Sequence, residues 1–182
     1  MSGDLLGRQR YGIPFGAACP LHAFQQESVL WTLLWICLCK CGAGAPRPAL
    51  TDRRNKLHEP LVQRIRLLFQ VQDARQLGYN KEPTIMYSME FERCLMLIDD
   101  FYAPLKPMLW RLWTILNAGY VAGHFDFAST MDQFTAAFDE AEHALEQNPP
   151  VLTPEQEANI RAEEARRAQD VDVWEDGPRP ML

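Results

Sequence analysis

The chain has 182 residues, 47% of them apolar, and a formal charge of −6, which is room for one domain of ordinary size with a packed core. The charge is uneven: residues 51–78 balance to +3, whereas residues 126–182 hold fourteen acids against four arginines. An acidic half excludes tight non-specific binding to nucleic acid, because phosphates require net positive charge on the contact face, and five cysteines with three inside residues 37–41 make a poor disulfide framework and suit a reducing, cytoplasmic compartment.

Residues 1–27 hold Gly3, Gly7, Gly12, Gly16, Pro14 and Pro20 without sustained periodicity and read as loop or disorder. Val29–Cys39, VLWTLLWICLC, is the most apolar stretch. It is too short to span a bilayer, which takes about 20 apolar residues. As a secretory signal it is irregular, since Glu27 abuts the apolar run and Pro46 would follow a cut at Gly42–Ala45. Two readings remain: a buried helix or strand, or an anchor in which Cys37, Cys39 and Cys41 beside Lys40 are acylated. The same three cysteines, with Cys19 and His22, are the candidate metal ligands, although a closed site ordinarily needs a second Cys/His knuckle. No cofactor and no metal is expected. Residues 42–50, GAGAPRPAL, form a linker, so residues 1–50 are taken as an irregular segment ahead of a helical core over 51–150.

The first predicted helix runs from Pro60 to Leu77 on the stripe Leu61, Ile65, Leu68, with Gly78 as its stop. The second runs from Thr84 to Tyr102, with Pro83 and Ser88 as alternative starts. Its apolar residues nearly encircle it and predict the central, most buried helix. The third starts near Pro104 and runs to Ala118 on Leu105, Leu109, Leu112 and Leu116, with Gly119 as a stop. The fourth has the cleanest pattern: Phe127, Met131, Phe134, Phe138, Ala141 and Leu145 step by four and three, an a/d seam capped by Asp126 and ended by Asn148-Pro149-Pro150. The short connection predicts that the third and fourth helices are antiparallel neighbours. Thr153-Pro154-Glu155 starts a last, solvated helix over residues 155–170, and residues 171–182 read as a disordered acidic tail. The expected class is therefore all-α, a small antiparallel bundle of four to five helices.

Chemistry-bearing patterns are sparse. Glu140-Ala-Glu-His143 is a single Glu-x-x-His, where a di-iron bundle needs two plus further carboxylates. Asp99 and Asp100 adjoin, but consecutive helical residues diverge by roughly 100°. Nucleophile elbows, zincin motifs and phosphate loops do not occur in the sequence. Arg53, Arg64 and Arg75 read as solvated-face charge, or as lipid contacts if residues 29–41 touch a membrane. Gly123–Ala128 and Ala144–Pro149 resemble pieces of a tetratricopeptide repeat, but sixteen residues separate Ala128 from Ala144, about twice what the repeat allows, and no second copy occurs.

These readings lead to a non-enzymatic helical interaction or adaptor module. The partner is another protein, with Phe127, Met131, Phe134, Phe138, Leu145 and Trp174 as candidate contacts. Trp174 lies among Asp170, Asp172, Glu175 and Asp176, as in acidic-aromatic docking peptides. The seam also allows a homo-oligomer. The alternative is a peripheral membrane protein anchored through residues 29–41.

Overall fold

The structure is a computed structural model and describes residues 21–42, 45–51, 59–123 and 125–175. Helix α1 spans Leu21–Cys39, α2 is one turn at Pro48–Thr51, α3 spans Glu59–Phe69, α4 Ala74–Met86 and α5 Ser88–Met96. A 3-10 helix over Asp100–Leu105 leads into α6 (Lys106–Ala122), followed by α7 (Phe127–Gln147) and α8 (Pro154–Glu175). Among the described residues there are no strands, only one isolated bridge between Lys40 and Pro46. The class is all-α, as the sequence predicts.

Helix α6 is the hub. It packs against α1, α4, α7 and the 3-10 helix, and Met108, Leu109, Leu112, Trp113 and Leu116 are all buried. The predicted central helix over residues 84–102 is instead divided: α4 ends at Met86, Tyr87 is extended, and α5 begins at Ser88. Helix α5 buries Phe91 and Cys94 on one side, while Met89 and Met96 stand 61% and 72% exposed on the other. Apolar residues all round a short helix thus mark two separate faces rather than depth.

The predicted helix 60–77 is also two helices. The chain leaves α3 at Phe69 and restarts at Ala74, where the Asp73 carboxylate accepts hydrogen bonds from the backbone N–H of Arg75 (2.7 Å) and Gln76 (3.0 Å). This N-cap satisfies two of the four orphan donors of the new helix, and those bonds hold the carboxyl below its usual range. Gly78 and Pro83, expected as a stop and a start, therefore both lie inside α4. The end of α4 is capped from a distance. Trp113 Nε1 donates to the Thr84 carbonyl at 2.8 Å, and Asn117 Nδ2 donates to those of Ile85 and Met86 at 3.0 and 3.3 Å. Carbonyls that a helix end leaves unpaired are here satisfied by two residues one turn apart on α6.

The N-terminal segment is corrected as well. Residues 21–27, read as irregular, are helical, and Leu30, Trp31, Leu34 and Leu38 enter the same core as Leu61, Ile65 and Leu109. The described part of residues 1–50 therefore belongs to the helical core rather than preceding it, because α1 buries its apolar side against α3 and α6. Residues 1–20 lie outside the described chain. The turn after α1 is tied back by Arg47: its backbone N–H donates to the Cys39 carbonyl (2.9 Å) and its guanidinium donates to the Leu97 carbonyl and pairs with Asp99 (3.3 Å).

Helices α6 and α7 run antiparallel, as expected from the short link: Phe125 sits against Gly119, and Arg111 further back on α6 pairs with Glu140 further along α7. Gly119 is not a stop. Helix α6 continues to Ala122 and ends on Gly123, whose φ of 66° is the left-handed cap geometry. At Gly119 a Cβ would run into the Phe125 ring, so the glycine is required for close approach. Gly119→Ala is expected to lower stability by about 1–2 kcal/mol through overpacking. In a Phe125→Ala background the same change should raise stability by about 0.5–1 kcal/mol, because only helix propensity is left. Urea denaturation of the four proteins in this cycle measures both signs, and equal effects in the two backgrounds would contradict the contact.

Helix α8 starts as predicted and with more support than foreseen. Thr153 Oγ1 accepts from Gln156 N–H (3.2 Å) while Gln156 Oε1 accepts from Thr153 N–H (2.8 Å), a reciprocal capping box. The helix continues through residues 171–175, where disorder was expected, and residues 176–182 fall outside the described chain.

Candidate functional site

The interaction surface expected on α7 is repositioned by packing. The residues facing inward are Thr130, Phe134 and Ala137, with Ala141 packed beside them. Phe134 is 4% exposed, whereas Met131 and Phe138 are 41% and 37% exposed. The a/d seam is therefore not the buried line. Small side chains at 137 and 141 let α6 come close, and the large Met131 and Phe138 rotate to the shoulder of the helix, with Leu145 half-buried in the same row. Asp126 stands at the N-cap, but it is its backbone carbonyl that receives Thr130 N–H (2.9 Å) and Thr130 Oγ1 (2.6 Å). The side chains of Phe127 and Trp174 lie outside the described residues.

One side of α7 faces Arg111 through Glu140. The other side, beyond Met131 and Phe138, presents Asp132, Asp139, Glu142 and Glu146, all exposed. Helix α7 contains five acids and no Lys or Arg. The arrangement is an apolar shoulder bordered by carboxylates.

Three of the described cysteines serve the core, and Cys19 lies outside the described residues. Cys37 and Cys39 are buried on α1 and Cys94 is fully buried on α5, and burial pushes the thiols of Cys37 and Cys94 up from 9.0 to about 11. Thiols so placed are poor nucleophiles, so acylation of Cys37 or Cys39 would require α1 to leave the core. Cys41 is half-buried, with its Sγ 3.5 Å from the Pro46 carbonyl oxygen. Among the described residues no three His, Cys, Asp or Glu side chains converge in a way that could hold a metal ion. No helix there is long and apolar enough to cross a membrane. Of the apolar stretch 29–39, Val29 and Trp35 are the large side chains left exposed.

Asp99 and Asp100 do not form a paired site. Asp99 caps the 3-10 helix by accepting from Phe101 N–H (3.1 Å) and pairs with Arg47, while Asp100 is exposed. His124 lies outside the described residues, and His143 is exposed on α7 beside Gln147 (2.8 Å).

A buried polar cluster escaped the sequence reading. Glu27 is fully buried and accepts hydrogen bonds from Trp31 Nε1 (2.8 Å) and the Tyr120 hydroxyl. Lys81, 5% exposed, lies with its Nζ 4.5 Å from the Trp31 ring centre and 5.8 Å from that of Phe69. Burial pushes the Lys81 ammonium down, and the Glu27 carboxylate opposes the shift. Trp31, Trp35, Phe69 and Lys81 line a shallow cleft of about 220 Å³. The signal was present: Lys81 continues the spacing of Gly78 and Ile85 on the inner face of α4. Reading Gly78 as a stop concealed it.

The fold and this surface define an all-α helical protein in which Cys37, Cys39 and Cys94 are buried and the acids of α7 are mostly exposed. Comparison with protein-family models, curated proteins and solved structures finds no match for the chain.

Proposed function

We propose that this chain is a non-enzymatic interaction module that binds another protein through the outer shoulder of α7. The observation supporting it is the exposure of Met131 and Phe138 on a helix whose inner face is already occupied. Large apolar side chains left in register on a charged helix suit a helix-to-helix contact. The non-enzymatic part is supported by how the suspect groups are used: Asp99 caps and pairs, and Cys37, Cys39 and Cys94 pack.

The competing reading, membrane attachment through residues 29–41, has less to work with, since Leu30, Leu34 and Leu38 are spent in the core. The test uses a photoreactive phenylalanine at position 138 and, as a control, at exposed Thr114 on α6. Position 138 is expected to yield one defined heterologous adduct that position 114 does not. With that partner purified, Met131→Ser/Phe138→Ser should weaken binding by at least tenfold, the order of a hot-spot pair, while the circular dichroism stays helical. Equal adducts at both positions, or unchanged affinity in the double variant, would refute the proposal, and co-flotation of the wild type with anionic vesicles would favour the alternative.

A further inference from the structure

We infer that the partner seated on the α7 shoulder is a basic amphipathic helix, an inference that rests on reading that shoulder as the interaction surface. Met131, Phe138 and Leu145 are seven residues apart and form one row about 20 Å long. Such a row is the footprint of a second helix with apolar residues at three- and four-residue spacing. The border of the row sets the charge of its occupant. Asp132, Asp139, Glu142 and Glu146 are exposed along the open side, and no Lys or Arg of α7 offsets them; Glu146 has the His143 ring at 3.9 Å. Glu140, on the opposite side, is already paired with Arg111 of α6. A helix laid on this row therefore meets four carboxylates along one flank and gains from Lys or Arg there, in both encounter rate and specificity. A second copy of this chain docked row to row would oppose like charges, which costs rather than gains. Anionic lipid and nucleic acid meet the same repulsion.

The test uses the full chain and three fluorescent synthetic helices of about 20 residues with one apolar stripe and flanks of Lys/Arg, Gln or Glu. The basic peptide is expected to bind at least tenfold more tightly than the Gln peptide at low salt. That advantage should shrink at high salt, where the Debye length falls to about 3 Å, and the Glu peptide should not bind measurably. Asp132→Asn/Asp139→Asn/Glu142→Gln/Glu146→Gln, all at exposed positions, should lower affinity for the basic peptide to that of the Gln peptide without changing the circular dichroism. Equal binding of all three peptides, binding of none, or full retention of basic-peptide binding by the four-fold variant overturns the inference. So does light scattering that shows a dimer disrupted by Phe138→Ser, which would assign the row to a second copy. A defined adduct from position 138 together with charge-independent peptide binding would leave the interaction surface standing and remove only the basic partner.

Discussion

Trp113→Ala is expected to destabilise the fold by about 3–5 kcal/mol from lost burial and cavity formation, with further loss from the unpaired Thr84 carbonyl. Trp113 is 6% exposed, stacks on Phe91 at 5.5 Å and 13°, and touches Trp110 at 5.0 Å. Its indole N–H is also the donor that caps α4. Against a total stability of about 5–15 kcal/mol for a domain, this single change should lower the urea midpoint markedly and, at the lower end of that range, leave a weakly cooperative transition. Trp113→Phe separates the two roles. It keeps an aromatic face for Phe91 and lacks the donor, so about 1–2 kcal/mol should be lost. If Trp113→Phe costs as much as Trp113→Ala, the hydrogen bond outweighs the packing. If neither variant shifts the midpoint, α4 and α6 do not meet as described.

Alkaline pH is expected to unfold the protein through its buried thiols. Cys37 and Cys94 are raised from 9.0 to about 11 in the folded chain, because an ionised thiolate would lose its water. The sign follows from linkage. Below pH 9 both folded and unfolded chains hold these protons, and the contribution is fully present. Above it the unfolded chain ionises first, so stability falls until the pH passes about 11. Each thiol contributes a slope approaching 1.4 kcal/mol per pH unit and a total of roughly 2–3 kcal/mol. Tyr102, also raised by burial, acts in the same direction. Lys81, pushed down by burial, acts in the opposite one, since its folded state holds the proton less tightly than the unfolded chain. Urea titrations at pH 8, 9 and 10 should show the decline, and a Cys37→Ala/Cys94→Ala variant should show a shallower one. Stability that is flat over this range, or an unchanged slope in the variant, would mean that these thiols are solvated.

Local signals were readable wherever a helix is started by its own residues and keeps one apolar phase. Thr153-Pro154 begins α8, Asn148-Pro149-Pro150 follows the end of α7, and the row Leu109, Leu112, Leu116 lies buried on α6 as its spacing predicts. The break between α3 and α4 was masked by the apolar residues that cross it, and at Tyr87 the Ser88 start was readable only as one of two alternatives. Val71 and Leu77 keep the chain superficially apolar across the first, and the second depends on Trp113 and Asn117, about thirty residues downstream, accepting the task of capping. For the candidate site, the residue types were legible and their orientation was not. Met131, Phe134 and Phe138 look equivalent in the sequence, and only the approach of α6 to Ala137 and Ala141 separates the buried Phe134 from its half-exposed neighbours.

Helix type, the acidity of α7 and the pairing of α6 with α7 were determined by the sequence itself, because each follows from propensity, composition or a short connection acting over a few residues. The tertiary structure decided which helix is central, that α1 belongs to the core, and that Glu27 and Lys81 are buried in one cluster. Those outcomes depend on groups about thirty to ninety residues apart in the chain excluding water together, and no periodicity along a single strand of sequence records such a meeting.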